Sequence, residues 1–144
     1  MNFEKSCGAV VFVNENNSVR YLLMCSMEGV YGFPKGHMEG NETEIETALR
    51  EVREETNVHI RLVGDFRADI EYMLQSKKDT LKHVTYFLAT YDGDQTVIPQ
   101  EGECCDVRLV SYEEAMALLP YERTQQVLKQ ANDYLLAYLG GTKA

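Results

Sequence analysis

Residues 36–58 read GHMEGNETEIETALREVREETNV, the clearest helical pattern in the chain. At a rotation of about 100° per residue, its apolar side chains share one face. They are Ile45, Ala48, Leu49 and Val52. The pattern predicts a helix over 43–56, which begins with a capping box formed by Thr43 with Glu46 or by Asn41 with Glu44.

Three glutamates crowd one flank of this predicted helix. Relative to Glu51, the same rotation places Glu55 about 40° to one side and Glu54 about 60° to the other. Like charges four residues apart destabilise an isolated helix by roughly 0.2–0.5 kcal/mol per pair. Arg50 and Arg53 are expected to project to the other side, where they can reach Glu46 or Glu54 but not the whole cluster. A solvated acidic surface is one interpretation. A Mg²⁺ site is the other, because this ion prefers carboxylate oxygens.

The whole stretch resembles the Nudix box, Gly-x5-Glu-x7-Arg-Glu-U-x-Glu-Glu-x-Gly-U, in which U is an aliphatic residue. The match begins at Gly36 and includes Glu42, and every defined position agrees except the last glycine, where this chain has Asn57. Asparagine tolerates the left-handed conformation that ends many helices, so the departure is small. The resemblance implies the Nudix fold and a hydrolase that cuts a phosphoanhydride bond in a nucleoside polyphosphate.

The resemblance also implies roles for individual residues. It implies that the metal ion, Mg²⁺ or alternatively Mn²⁺, is bound by Glu51, Glu54, Glu55 and the backbone carbonyl of Lys35. The general base is implied to be Glu51 or a carboxylate outside the box. Glu103 is preferred for the latter, with Glu101 as the rival. Arg50 is implied to orient a catalytic glutamate, and Glu42 to support the site.

Substrate choice is expected to depend on residues outside the box. Residues 32–37, GFPKGH, resemble the loop of asymmetrical diadenosine tetraphosphate hydrolases and of the related diphosphoinositol polyphosphate enzymes. Residues 82–89 and 103–115 resemble segments of the first group, so the resemblance implies a dinucleoside polyphosphate such as diadenosine tetraphosphate as the substrate. We expect Lys35, His37 and Lys82 to contact a phosphate chain, and Tyr86 and Tyr121 to hold an adenine. The alternatives are a nucleotide-sanitising or RNA 5′-end pyrophosphohydrolase, a diphosphoinositol polyphosphate hydrolase and a nucleotide-sensing Nudix domain without activity.

The flanking patterns predict a mixed β-sheet with helices on its faces. This is an α+β fold, an α/β/α sandwich, in a single domain over 1–144. Strands are predicted at 5–14, 19–26, 59–63, 65–74, 82–91 and 107–110, further helices at 112–119 and 122–139, and a functional loop over 29–40.

Charge and composition limit the partners. The formal net charge is −9, from 14 basic and 23 acidic residues, which argues against general nucleic-acid or anionic-membrane binding. The apolar runs are too short to span a bilayer, and the first residues do not resemble a signal peptide, so we expect a cytoplasmic protein. Cys7 and Cys25 are expected to be buried, and the adjacent Cys104 and Cys105 do not have zinc-ligand spacing.

Overall fold

The computed structural model describes residues 1–141 and contains a mixed sheet enclosed by helices. The strands are β1 (Asn2–Glu15), β2 (Ser18–Ser26), β3 (Tyr31–Gly32), β4 (Lys35–His37), β5 (Arg61–Met73), β6 (Thr80–Thr90) and β7 (Cys104–Val110). The helices are α1 (Glu44–Thr56), α2 (Tyr112–Leu118) and α3 (Glu122–Gly141). In this part of the chain, no helix is both long and apolar enough to cross a membrane.

The sheet is centred on β1, whose alternating side chains build two cores. The strand order is β3-β2-β1-β6-β5, with β4 added to β1 and β7 to β2. β1 runs parallel to β6 and antiparallel to β2. Because successive side chains of a strand point to opposite faces, Ala9 and Val11 pack towards α1 while Val10 and Phe12 pack in the core of α2 and α3. The predicted α/β/α sandwich is confirmed.

The caps of α1 agree with one of the two predicted arrangements. The Thr43 side chain accepts from the backbone N–H of Glu46, and the Glu46 side chain accepts from the backbone N–H of Thr43, so the box uses this pair. Asn57 ends the helix with a φ of 66°, in the left-handed region that asparagine tolerates.

The predicted apolar stripe of α1 is only half correct. Ala48 and Val52 are fully buried, but Ile45 and Leu49 are 44% and 37% exposed. Thr47 and Thr56 are buried instead. The helix is therefore rotated away from its most apolar orientation, which turns the flank carrying Glu51 and Glu55 towards the protein.

The structure differs from the predicted strands in three places. β5 is one strand rather than two, because it pairs with β6 on both sides of an irregularity between Leu62 and Arg67 that contains Gly64 at a φ of 63°. The predicted loop over 29–40 contains β3 and β4, since these segments pair with β2 and β1. β7 begins at Cys104 rather than at residue 107.

Candidate active site

The candidate site lies beside the edge of β1 that pairs with two different strands, β4 and β2. β4 pairs with β1 at Ser6–Gly8, and β2 pairs with it from Phe12 onwards. A Cβ at Gly8 would overlap the Pro34 carbonyl and Lys35. Glycine at this position therefore lets the segment before β4 lie close against β1, and β4 in turn contacts α1.

The backbone of β4 lies directly against the acidic flank of α1. The Lys35 N–H donates to Glu55 Oε1 at 3.2 Å. At Gly36 a Cβ would overlap the Glu51 carboxylate, so only glycine leaves room for that side chain. Two carboxylates from successive helical turns are thus held beside the same short strand.

Glu55 is the most strongly perturbed carboxyl group at this site. Its pKa is raised to about 8, mainly by burial and also by the nearby charges of Glu51 and Glu103, although the hydrogen bond from Lys35 acts in the opposite direction. Burial also lowers the pKa of the Lys35 side chain. A desolvated carboxyl group near two other carboxylates is typical of a functional site.

Arg50 reaches Glu54, as predicted, and it also contacts Glu51, which the prediction had placed out of its reach. It forms a bidentate pair with Glu42, with its Nε donating to Oε2 at 2.6 Å and its Nη2 to Oε1 at 3.0 Å. It also donates from Nη1 to Glu51 Oε1 and Glu54 Oε2, both at 2.8 Å, and from Nη2 to the His37 carbonyl at 2.9 Å. One guanidinium therefore positions α1, Glu51 and β4 together.

Arg50→Lys is expected to reduce stability and activity together. Lysine keeps the charge but cannot reproduce the planar fork, so the variant should lose about 1–3 kcal/mol of unfolding free energy and about tenfold to a hundredfold in kcat. Urea denaturation and steady-state kinetics measure the two effects. Arg53→Lys on the same helix, at an exposed residue, is the control. Wild-type behaviour of Arg50→Lys would contradict a positioning role.

The carboxylates fit an open Mg²⁺ site rather than a complete metal cage. Within residues 1–141, no group of three or more His, Cys, Asp or Glu side chains has metal-binding geometry. Glu51 and Glu55 do lie close enough for the Glu51 charge to raise the pKa of Glu55, and both offer hard oxygen ligands. Mg²⁺ commonly uses one or two carboxylates and keeps several waters, so this donor set suits it.

Glu54 lies further out, at the surface. Its side chain is 46% exposed and pairs with Arg50. Its predicted role as a metal ligand stays a prediction, and it requires the Glu54 carboxylate to turn away from Arg50.

A cavity of about 260 Å³ extends from Glu55 between β2, β5 and the start of α3. The charged side chains of its lining include Glu55, Glu103 and Lys35. Glu101, the rival of Glu103, does not line it. Gly102, at a φ of 81°, forms the turn that leads from Glu101 to Glu103.

The lining of the cavity also contains an aromatic and cationic cluster. Tyr72, Tyr121 and Arg123 form it, and the Arg123 guanidinium carbon lies 3.8 Å from the Tyr72 ring centroid and 4.2 Å from the Tyr121 ring centroid. Sequence reasoning identified Tyr121 but missed the other two residues. The alternation of Ile70 and Tyr72 in β5 was the available signal, since both side chains line this cavity.

Only some of the residues predicted to contact the substrate line this cavity. Tyr86 lines it but is only 1% exposed, with its ring 5.4 Å from Phe33 in an edge-on arrangement. His37 and Lys82 do not line it. Both lie at Glu4, with His37 Nε2 at 3.1 Å and Lys82 Nζ at 3.6 Å from the Glu4 carboxylate.

Comparison with known proteins agrees with this fold and site. Residues 4–131 match the NUDIX domain. The asymmetrical bis(5′-nucleosyl)-tetraphosphatase of Mus musculus is 28% identical over 142 residues, which cover 91% of this chain and 95% of that protein.

Solved structures show the same fold. A C. elegans Ap4A hydrolase binary complex has a TM-score of 0.84 at 23% identity, and the match covers 93% of this chain and 98% of that one. The NUDIX domain of Shewanella oneidensis NrtR, in complex with ADP ribose, has a TM-score of 0.73 at 18% identity, covering 94% of this chain and 90% of that one. With the NUDIX match spanning most of its length and the acidic helix facing a cavity, this chain belongs to the NUDIX family and is a Nudix pyrophosphohydrolase.

Proposed function

We propose that this protein hydrolyses dinucleoside polyphosphates asymmetrically, with diadenosine tetraphosphate as the type substrate, in the cytoplasm and in the presence of Mg²⁺ or Mn²⁺. The observation that carries the proposal is a single cavity whose lining combines carboxylates and Lys35 with flat aromatic side chains. A nucleotide has the complementary form, with a phosphate chain joined to a flat base. The relatives named for this activity, which resemble the chain over nearly its whole length, support the same choice.

Glu51 and Glu55, with the Lys35 carbonyl, are the groups proposed to hold the metal, and Glu54 is proposed to join them. When bound, the cation supplies positive charge that stabilises the charge developing on the phosphate oxygens. It would also offset the burial and the Glu51 charge that raise the pKa of Glu55, because both carboxylates would face a positive ion.

Glu103 is proposed as the general base that accepts a proton from the attacking water. Its side chain lines the cavity and, among residues 1–141, forms no hydrogen bond or ion pair. Glu51, the alternative base, is held by Arg50 at 2.8 Å and is only 17% exposed. A free carboxylate that faces the substrate is better placed to take up a proton than one that is already committed to a guanidinium.

Lys35, His37 and Lys82 are proposed to bind the phosphate chain, and Tyr86 and Tyr121 to contact a base. Lys35 lies inside the cavity. His37 and Lys82 now contact Glu4, which a phosphate group would have to displace. The edge-on packing of Tyr86 against Phe33 favours a role as a wall of the cavity, whereas Tyr121 is 43% exposed and has the Arg123 guanidinium over one face of its ring.

A substrate panel tests the proposed function. The purified protein is incubated with dinucleoside polyphosphates, nucleoside triphosphates, 5′-triphosphorylated RNA and inositol pyrophosphates, with Mg²⁺, with Mn²⁺ or with EDTA. We expect diadenosine tetraphosphate to be split into ATP and AMP with the highest kcat/KM, and no turnover in EDTA. A higher kcat/KM on any other class, or equal turnover in EDTA, would contradict the proposal.

Glu103→Gln and Glu101→Gln then form a matched pair for the general base. We expect Glu103→Gln to lower kcat by about 10²–10⁴-fold, the range for general acid–base catalysis, and Glu101→Gln to leave it unchanged. If both variants are equally active, the base is Glu51 or another group.

A further inference from the structure

Arg123 packs against the aromatic lining of the cavity in an unusual way. Its guanidinium carbon lies over two rings, 3.8 Å from the Tyr72 centroid and 4.2 Å from the Tyr121 centroid. Among residues 1–141, the Arg123 side chain has no ion pair and no hydrogen bond. In a chain with a formal charge of −9, a cation without a carboxylate partner is notable because acidic partners are abundant.

The position of Arg123 in the fold does not favour a cation. It is the second residue of α3, which begins at Glu122. The first turn of a helix has a partial positive charge, which disfavours cationic side chains. Stacking between two aromatic faces is therefore the interaction that holds this guanidinium in place, and such contacts are weak at partly exposed sites.

The guanidinium covers one face of Tyr72 and one face of Tyr121, and we call the space over these two faces the Tyr72–Tyr121 slot. Both rings already lie at stacking distance from the guanidinium. A nucleobase stacks at a similar distance from an aromatic ring, so it cannot enter this slot while Arg123 fills it. The base and the guanidinium therefore compete for the same space.

The guanidinium also lies near the path of the phosphate chain. Arg123 and Lys35 line the same cavity, and the Arg123 charge adds to burial in lowering the pKa of Lys35. A phosphate group between them would give Arg123 the anionic partner that it lacks, with the planar, bidentate geometry that arginine prefers.

We propose that Arg123 is a specificity-determining residue. Its guanidinium fills the Tyr72–Tyr121 slot in the free protein; when a base enters the slot, the guanidinium leaves it and binds the polyphosphate of the same substrate. The inference rests on the proposed function, because it requires a substrate with both a base and a phosphate chain. A nucleoside without phosphate must expel the guanidinium without giving it a new partner. A polyphosphate provides that partner, so the exchange selects against nucleosides and in favour of polyphosphorylated substrates.

Two variants test separately whether Arg123 excludes a base from the slot and whether its charge binds the polyphosphate. Arg123→Ala empties the slot and removes the charge, so we expect adenosine to bind about tenfold more tightly and the KM for diadenosine tetraphosphate to rise by about tenfold. Arg123→Lys loses the flat group but keeps the charge. It should show the tighter adenosine binding with a KM within about threefold of wild type. Lys129→Ala removes an exposed cation from the same helix and should change neither quantity.

Adenosine affinity is measured by calorimetry without turnover, and KM is measured from hydrolysis of the tetraphosphate. Equal or weaker adenosine binding in Arg123→Ala, with normal wild-type turnover, would overturn the exchange and leave the proposed function standing. An unchanged KM in Arg123→Ala would likewise overturn it. If the wild-type protein cleaves no dinucleoside polyphosphate, the proposed function fails, and the exchange fails with it.

Discussion

Glu55→Gln is expected to lower kcat by about a thousandfold or more, the size of effect seen when a group that stabilises transition-state charge is removed. Glutamine keeps the size of the side chain and can still accept the hydrogen bond from the Lys35 N–H, but it cannot supply a negative ligand. Steady-state kinetics at saturating Mg²⁺ and tetraphosphate measure the effect. Near-normal turnover would rule out Glu55 as a metal ligand.

The same substitution should stabilise the metal-free protein at alkaline pH. The pKa of Glu55 is raised from 4.5 to about 8, so folding disfavours its ionised form. The resulting loss of stability begins above pH 4.5, grows as pH rises and levels off above pH 8. At about 1.4 kcal/mol per pKa unit, the upper bound is about 5 kcal/mol at pH 9.

Urea denaturation of wild type and Glu55→Gln in EDTA, at pH 5 and at pH 9, tests this pH dependence. The difference in unfolding free energy should be small at pH 5 and large at pH 9. Glu113→Gln removes the same charge from an exposed residue of α2 and is the control, with no pH-dependent difference. If Glu55→Gln is less stable than wild type at pH 9, the claim that folding destabilises the ionised form of Glu55 is wrong.

Gly36→Ala is expected to lower kcat by about a hundredfold or more while leaving the fold intact, because small displacements of catalytic groups cost about this much. The new methyl group would overlap the Glu51 carboxylate, which is the movable end of a side chain. The backbone at Gly36 is outside the left-handed region, so alanine causes no backbone strain there. The loss of activity should therefore exceed any loss of stability.

A double-mutant cycle shows whether Gly36→Ala acts through Glu51. In a Glu51→Gln background, the alanine should add little further loss of activity, because the two changes affect one group. Gly93→Ala is the matched control, since its Cβ would meet the Glu15 carboxylate at 3.0 Å, away from the cavity. Full additivity of Gly36→Ala and Glu51→Gln would show that the glycine has a different role.

Local patterns in residues 36–58 were sufficient to predict much of this protein. The start of α1 at Thr43 and its end at Asn57 depend on hydrogen bonds and backbone conformations within a few residues. The crowding of Glu51 and Glu55 follows from helical periodicity in the same way. The sandwich fold could also be predicted, because alternating and helical patterns show which faces must be buried.

The rotation of α1 and the contents of the cavity could not be predicted from local patterns. Periodicity favoured burial of Ile45 and Leu49, but packing against β1 and β4 turned Glu51 and Glu55 inwards instead. The hydrogen bond from Arg50 to the His37 carbonyl likewise depends on the position of β4 beside α1.

Tyr72 and Arg123 meet across 51 positions of sequence. Their contact exists because β5 and the first turn of α3 line the same cavity. Side chains from distant elements are brought together by the packing of the whole sheet and its helices, and a single sequence does not record those distances. The chemistry of the acidic helix was thus local information, whereas the form of the binding cavity depended on the assembled fold.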